Sequence, residues 1–113
     1  IEDIDLLVMS KICKFGRYDI FRMIINRFKD GRYKFILPSI IIGGSRKILK
    51  YLIYKKRISW NDILFSAIKN NSLIFTRYSI KNGADKLEKA LELASLCGDY
   101  SVYSYISMLL KNN

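Results

Sequence analysis

Gly16, Gly44, Asn71 and Gly98 stand 28, 27 and 27 residues apart, and the apolar residues keep their places relative to all four. Seven residues before these anchors are Met9, Leu37, Leu64 and Leu91. Four before are Ile12, Ile40, Ala67 and Ala94, and three before are Cys13, Ile41, Ile68 and Ser95. Four residues after them are Ile20, Ile48, Phe75 and Val102. Seven after are Met23, Tyr51, Tyr78 and Tyr105, and eight after are Ile24, Leu52, Ser79 and Ile106. Offsets of three, four, seven and eight share one face of an α-helix. Each anchor therefore separates two amphipathic helices. The first helices are predicted over 5–14, 36–43, 61–70 and 87–97, the second over 17–28, 45–55, 72–82 and 99–110.

The anchors have a physical reason. Glycine and asparagine most easily take the left-handed backbone conformation that ends one helix and turns the chain into the next. Gly43-Gly44-Ser45 reads as such a tight turn and not as a phosphate loop, since neither glycine-rich nucleotide pattern surrounds it. Ser59-Trp60-Asn61-Asp62 has the form of a capping box, and Asp85-Lys86-Leu87-Glu88 has its spacing with an Asp cap. Trp60 falls in the loop before the third pair, as a staple for that helix or an exposed anchor, with the staple the leading expectation. The only proline, Pro38, falls in a predicted first turn, where a missing N–H does little harm.

These residues resemble ankyrin repeats. Leu91-Glu92-Leu93-Ala94-Ser95-Leu96-Cys97-Gly98-Asp99 is similar to the first-helix part of that unit. Gly44-Ser45-Arg46-Lys47-Ile48-Leu49-Lys50-Tyr51-Leu52 is similar to the second-helix part, and Ile80-Lys81-Asn82-Gly83-Ala84-Asp85 to the closing part. The resemblance covers nearly the whole chain. It departs from the family in its shorter period, in lacking the Thr-Pro-Leu-His start, and in the bulky pairs Ile12-Cys13 and Ile40-Ile41 where small residues belong. It implies an all-α solenoid of about four stacked helix–turn–helix units, near 5–30, 34–57, 60–83 and 86–111 of one domain, with little or no β structure. The bulky pairs are expected to push their helices apart. Divergent arrays rich in Ile, Lys, Asn and Tyr look like those of large DNA viruses, which implies a viral protein engaging a host partner in the host cytoplasm.

The chain opens on Ile1 and is expected to be a piece of a longer array. Its apolar ends, Ile4, Leu6 and Leu7 at one side and Leu109 and Leu110 at the other, are expected to pack on further repeats or domains. The acidic opening Ile1-Glu2-Asp3-Ile4-Asp5 is unlike a secretory leader. No apolar run approaches the length of a membrane span. Cys13 and Cys97, alone and far apart, read as buried free thiols, which points to an intracellular location.

Chemistry needs convergent reactive groups, and the chain has no histidine. Neither cysteine has a partner at metal-ligand spacing, and Glu88 and Glu92 beside Lys86 and Lys89 read as a solvated face. No enzyme, metal or cofactor is expected. What remains is binding, or a structural spacer within a larger protein.

The net charge of +10 is uneven: residues 6–57 hold 14 Lys and Arg against Asp19 and Asp30. By the resemblance, first helices line a concave partner-binding surface, so Lys11, Lys14, Lys69 and Asn70 are the candidate partner-binding residues. Arg17, Arg22, Arg46, Lys47 and Lys50 fall on second helices, the convex solvated side. Tyr51, Tyr78 and Tyr105 share one offset and are expected to pack between units, whereas Tyr100 and Tyr103 lie off that stripe. A protein partner is the leading expectation. Nucleic acid bound through the basic half is the alternative, and it requires exposed Tyr or Phe beside Lys or Arg.

Overall fold

In the computed structural model, residues 4–29, 31–97 and 99–112 are described. The anchor Gly98, the acid Asp30 and the opening Ile1-Glu2-Asp3 lie outside them. The chain divides into two compact units, Ile1–Ile58 and Ser59–Asn113. Among the described residues the structure is all-helical, without a strand.

The first unit holds α1 (Leu6–Lys14), α2 (Tyr18–Ile24), a 3-10 turn (Ile25–Arg27), α3 (Tyr33–Gly43) and α4 (Arg46–Tyr54). The second holds α5 (Trp60–Lys69), α6 (Leu73–Lys81), α7 (Leu87–Cys97) and α8 (Tyr100–Lys111). Within the first unit α1 packs on α2 and α3, and α2 on α4. Within the second α5 packs on α6 and α7, and α8 on α6 and α7. Each unit therefore sets first helix on first helix and second on second.

The turns follow the anchors. Gly16, Gly44 and Asn71 have φ of +68°, +73° and +54°. At Gly44 the backbone N–H donates back to the carbonyls of Ile40 and Ile41, which satisfies helix-end acceptors. A second left-handed position recurs after the second helices, at Lys56 (φ +58°) and Gly83 (φ +134°). There Arg57 N–H donates to Leu52 O, and Ala84 N–H to Ser79 O, each at 2.9 Å. The Ser59–Asp62 capping box forms in full: Asp62 N–H donates to Ser59 Oγ at 3.1 Å, and Ser59 N–H to Asp62 Oδ2 at 2.9 Å.

The core follows the stripes. Met9, Phe21, Ile36, Ile40, Ile48 and Leu49 are fully buried in the first unit. Leu64, Ile68, Ala84, Ala90, Ala94, Val102 and Ile106 form one buried cluster in the second. Each fully buried Leu or Ile contributes about 1.5–3 kcal/mol of transfer free energy. Ser79, the polar residue on the apolar stripe, is fully buried, and its hydroxyl donates to Thr76 O at 2.9 Å.

Four expectations are corrected. Met23, placed on the core face of the second helix, is 80% exposed. The second helix buries another face: Phe21, Ile25 and Phe28, spaced i, i+4, i+7, point inward, which leaves Met23 outside. Pro38 lies in the interior of α3, not its first turn, because that helix starts three residues earlier than predicted, at Tyr33. Trp60 is the first residue of α5, not a loop residue. Its ring meets Tyr78 edge to face at 5.5 Å.

The bulky pairs, finally, do not hold α1 and α3 apart at their C-terminal ends. Gly43 lies so near the backbone of α1 that a Cβ there would collide with Cys13 O, and would stand 2.8 Å from Lys14 O. Glycine, not a small pair inside the helix, permits the approach.

Candidate functional site

The first surface is on α1 and α3. Leu7, Lys11 and Lys14 are spaced i, i+4, i+7 and share one face of α1, and all three are exposed. On α3, Phe35 and Ile42 are seven residues apart and equally exposed. The guanidinium of Arg32 lies 5.6 Å from the Phe35 ring centroid. Helix α1 packs on α3, so these exposed apolar and basic residues stand on adjacent first helices.

Lys69 and Asn70 end α5, in the other unit. Lys69 is exposed. The Asn70 carboxamide donates to Ser66 O at 2.7 Å and caps its own helix, so much of its hydrogen-bonding capacity is spent locally. Lys11 and Lys14 thus stand together on one helix turn, and Lys69 and Asn70 together on another.

The second surface was not among the expected sites. On α4, Lys47, Lys50, Tyr51 and Tyr54 are spaced i, i+3, i+4, i+7 and share a face. On α2, Tyr18 and Arg22 turn toward it, because α2 packs on α4. Together with Lys55 these side chains line a cavity of about 610 Å³. Cations stand over the rings. The Arg22 guanidinium is 4.4 Å from the centroid of Tyr51, and it donates to the Tyr18 hydroxyl at 3.0 Å. Lys55 Nζ is 5.8 Å from both Tyr51 and Tyr54, and Lys47 Nζ is 6.0 Å from Tyr18. Such contacts stabilise by about 0.5–1 kcal/mol each when exposed.

A second cavity, of about 370 Å³, shares Tyr51 and Lys55 with the first and continues to Lys29, Tyr33 and Arg57. Arg57 stands 5.5 Å from the Tyr33 centroid. Among the described residues no carboxylate lines either cavity. Asp19, the acid on α2, is bound to Arg17 at 2.8 Å, and that hydrogen bond holds its carboxyl down at about 2. Asp5 is occupied in accepting from Val8 N–H at the start of α1. Tyr51 packs edge to face on Phe21 of the preceding second helix, as its place in the repeat suggests. The same ring also floors the basic cavity, a double role that the offset alone does not reveal. The spacing of Lys47, Lys50, Tyr51 and Tyr54 was the available signal.

Elsewhere the off-stripe Tyr100 and Tyr103 are both exposed, and Tyr105 lies 5.6 Å below the Arg77 guanidinium. Cys13 is buried and Cys97 half-buried, both as free thiols. Among the described residues no three of His, Cys, Asp and Glu converge as a metal site, and no helix is long and apolar enough to cross a membrane. No family model, curated protein or solved structure matches the chain.

Proposed function

We propose that the chain is a non-catalytic interaction module of ankyrin-like helix pairs, and that it engages a protein partner through the first helices of its N-terminal half. The carrying observation is the exposed Leu7–Lys11–Lys14 face of α1 together with exposed Phe35 and Ile42 on α3, the helix that α1 packs on. Apolar side chains grouped on a surface mark interaction sites more often than scattered ones do. Lysines among them supply orientation and encounter rate.

Three features support the stacked-repeat reading. They are the recurring left-handed turns at Gly16, Gly44 and Asn71, the matching pair Lys56 and Gly83, and, in each unit, first helices on first and second on second. Helix pairs of this kind hide their apolar faces by stacking, which leaves a long surface for a partner.

The test is site-specific photo-crosslinking from Leu7 and Phe35, with and without the double reversal Lys11→Glu and Lys14→Glu. A defined protein, captured through moderate salt and lost on reversal, is the expected result. Capture that the reversal leaves unchanged, or that vanishes entirely at moderate salt, contradicts the reading.

A further inference from the structure

The exposed residues on the first helices do not use the basic and aromatic trough on α2 and α4. We propose that this trough is a binding track for single-stranded nucleic acid, a site separate from the protein-binding face.

Charge is the first reason. Arg22, Lys47, Lys50 and Lys55 ring one cavity, and Lys29 and Arg57 extend the track through the adjoining one. No described carboxylate lies along it. Six cations with no described carboxylate among them repel one another, and a polyanion relieves that repulsion. Phosphates do so with release of condensed counterions.

The rings are the second reason. Tyr54 is 79% exposed, on the same helix face as Lys47 and Lys50. A ring this open offers a flat face on which a base stacks, with Lys47, Lys50 and Lys55 near enough to meet the flanking phosphates. Arg22 over Tyr51 makes a second platform, because guanidinium planes stack bases as aromatic rings do. Tyr33 under Arg57 repeats the arrangement in the next cavity.

This interleaving of rings and cations decides the ligand class. An acidic peptide would use the cations and leave the Tyr54 face idle. A duplex keeps its base faces stacked inside and cannot offer them. A single strand uses both features at once.

The experiment is fluorescence anisotropy with the whole chain and a labelled mixed-sequence single strand of about 12 nucleotides. A duplex of equal length and a glutamate-rich peptide of equal charge are the comparison probes. The single strand is expected to bind most tightly. Its affinity should fall roughly 50- to 300-fold between about 50 and about 200 mM salt, the range for four to six phosphate contacts at about 0.7 each in the log–log slope. Tyr54→Ala should weaken binding roughly 5- to 150-fold, the span measured for one stacked base, and Tyr54→Phe should restore it. Lys47→Gln with Lys50→Gln should lower the slope by about 1.4. Lys81→Gln with Lys86→Gln, exposed in the other unit, should change nothing. Circular dichroism confirms that each variant is folded.

Failure of the single strand to bind at low salt, equal binding of the duplex or the peptide, or indifference to Tyr54→Ala overturns the proposal. None of these outcomes touches the crosslinking at Leu7 and Phe35, so the two readings fail separately.

Discussion

The carboxamide of Asn61 holds the start of α7 at Asp85. Asn61 Nδ2 donates to Asp85 Oδ1 at 3.0 Å, and Asn61 Oδ1 accepts from the backbone N–H groups of Asp85 and Lys86, each at 3.1 Å. One side chain in the first turn of α5 thus fixes where the next first helix begins. The Asp85 carboxylate faces Asn61. Asn61→Ala leaves two N–H groups to water and should cost about 1–2 kcal/mol in urea unfolding, in the range of a lost helix cap. Asn61→Asp keeps the acceptor but sets a second carboxylate against Asp85, so it should fall between wild type and Asn61→Ala. An unchanged midpoint in Asn61→Ala would make the contact ornamental.

Gly43 and Gly44 adjoin in sequence but resist substitution for different reasons. A Cβ on Gly43 runs into the Cys13 carbonyl oxygen, with Lys14 O at 2.8 Å. A Cβ on Gly44 meets nothing within 4 Å, and only its φ of +73° opposes a side chain. Gly43→Ala should therefore cost about 2–3 kcal/mol, as an overpacked contact does, despite the better helix propensity of alanine. Gly44→Ala should cost about 1 kcal/mol. Equal midpoints for the two variants would show that α1 and α3 separate easily.

Much of this architecture was legible in the residues. The left-handed turns follow glycine and asparagine, because few other residues reach positive φ cheaply. The stripes of Ile40, Leu64 and Ile106 mark buried faces because their spacing is helical. Three things were not legible. The Gly43 contact depends on a neighbour thirty residues earlier, Cys13, which no local pattern reports. Met23 is exposed because the second helix of the first pair buries the neighbouring face of Phe21, Ile25 and Phe28, and offsets from the anchor do not report which of two apolar faces turns inward. Lys56 in a left-handed turn carries no compositional mark, and only its distance from Gly83 reveals the equivalence. The basic trough was half-visible: its α4 members share a face by spacing, but Tyr18 and Arg22 join them only through the packing of α2 on α4.

The residue after each anchor position caps the second helix, with one exception. Ser45 Oγ accepts from Ile48 N–H and Ser72 Oγ from Phe75 N–H, both at 3.2 Å, and Asp99 accepts from Ser101 and Val102 N–H. The equivalent residue of the first pair is Arg17, which makes no cap hydrogen bond. Helix α2 is correspondingly the shortest α-helix among the described residues. Ser45→Ala and Ser72→Ala should each cost about 1 kcal/mol. Arg17→Ser should raise the thermal midpoint, since its loss is only an exposed ion pair with Asp19 and its gain is an N–H partner. A lower midpoint in Arg17→Ser would mean that the pair contributes more than exposed pairs do.

Cys13 and Cys97 should differ sharply in chemistry. Burial pushes the Cys13 thiol up from 9.0 to about 12, because a thiolate inside the first unit would lose its hydration. The thiolate is the reactive form, so iodoacetamide should modify half-buried Cys97 in the folded protein and reach Cys13 only on unfolding. The raised value also fixes a pH dependence. The unfolded chain releases this proton near pH 9 while the folded protein keeps it, so the stability from a protonated Cys13 is complete below pH 9 and is lost progressively as pH rises toward 12. At pH 10 the loss amounts to about 1 kcal/mol. Other groups titrate in that range, so the comparison is with Cys13→Val, which removes this one proton and keeps the core filled. Between pH 8 and pH 10 the wild type should lose about 1 kcal/mol more than Cys13→Val. Parallel losses in the two proteins, or rapid native labelling of Cys13, would place that thiol in contact with water.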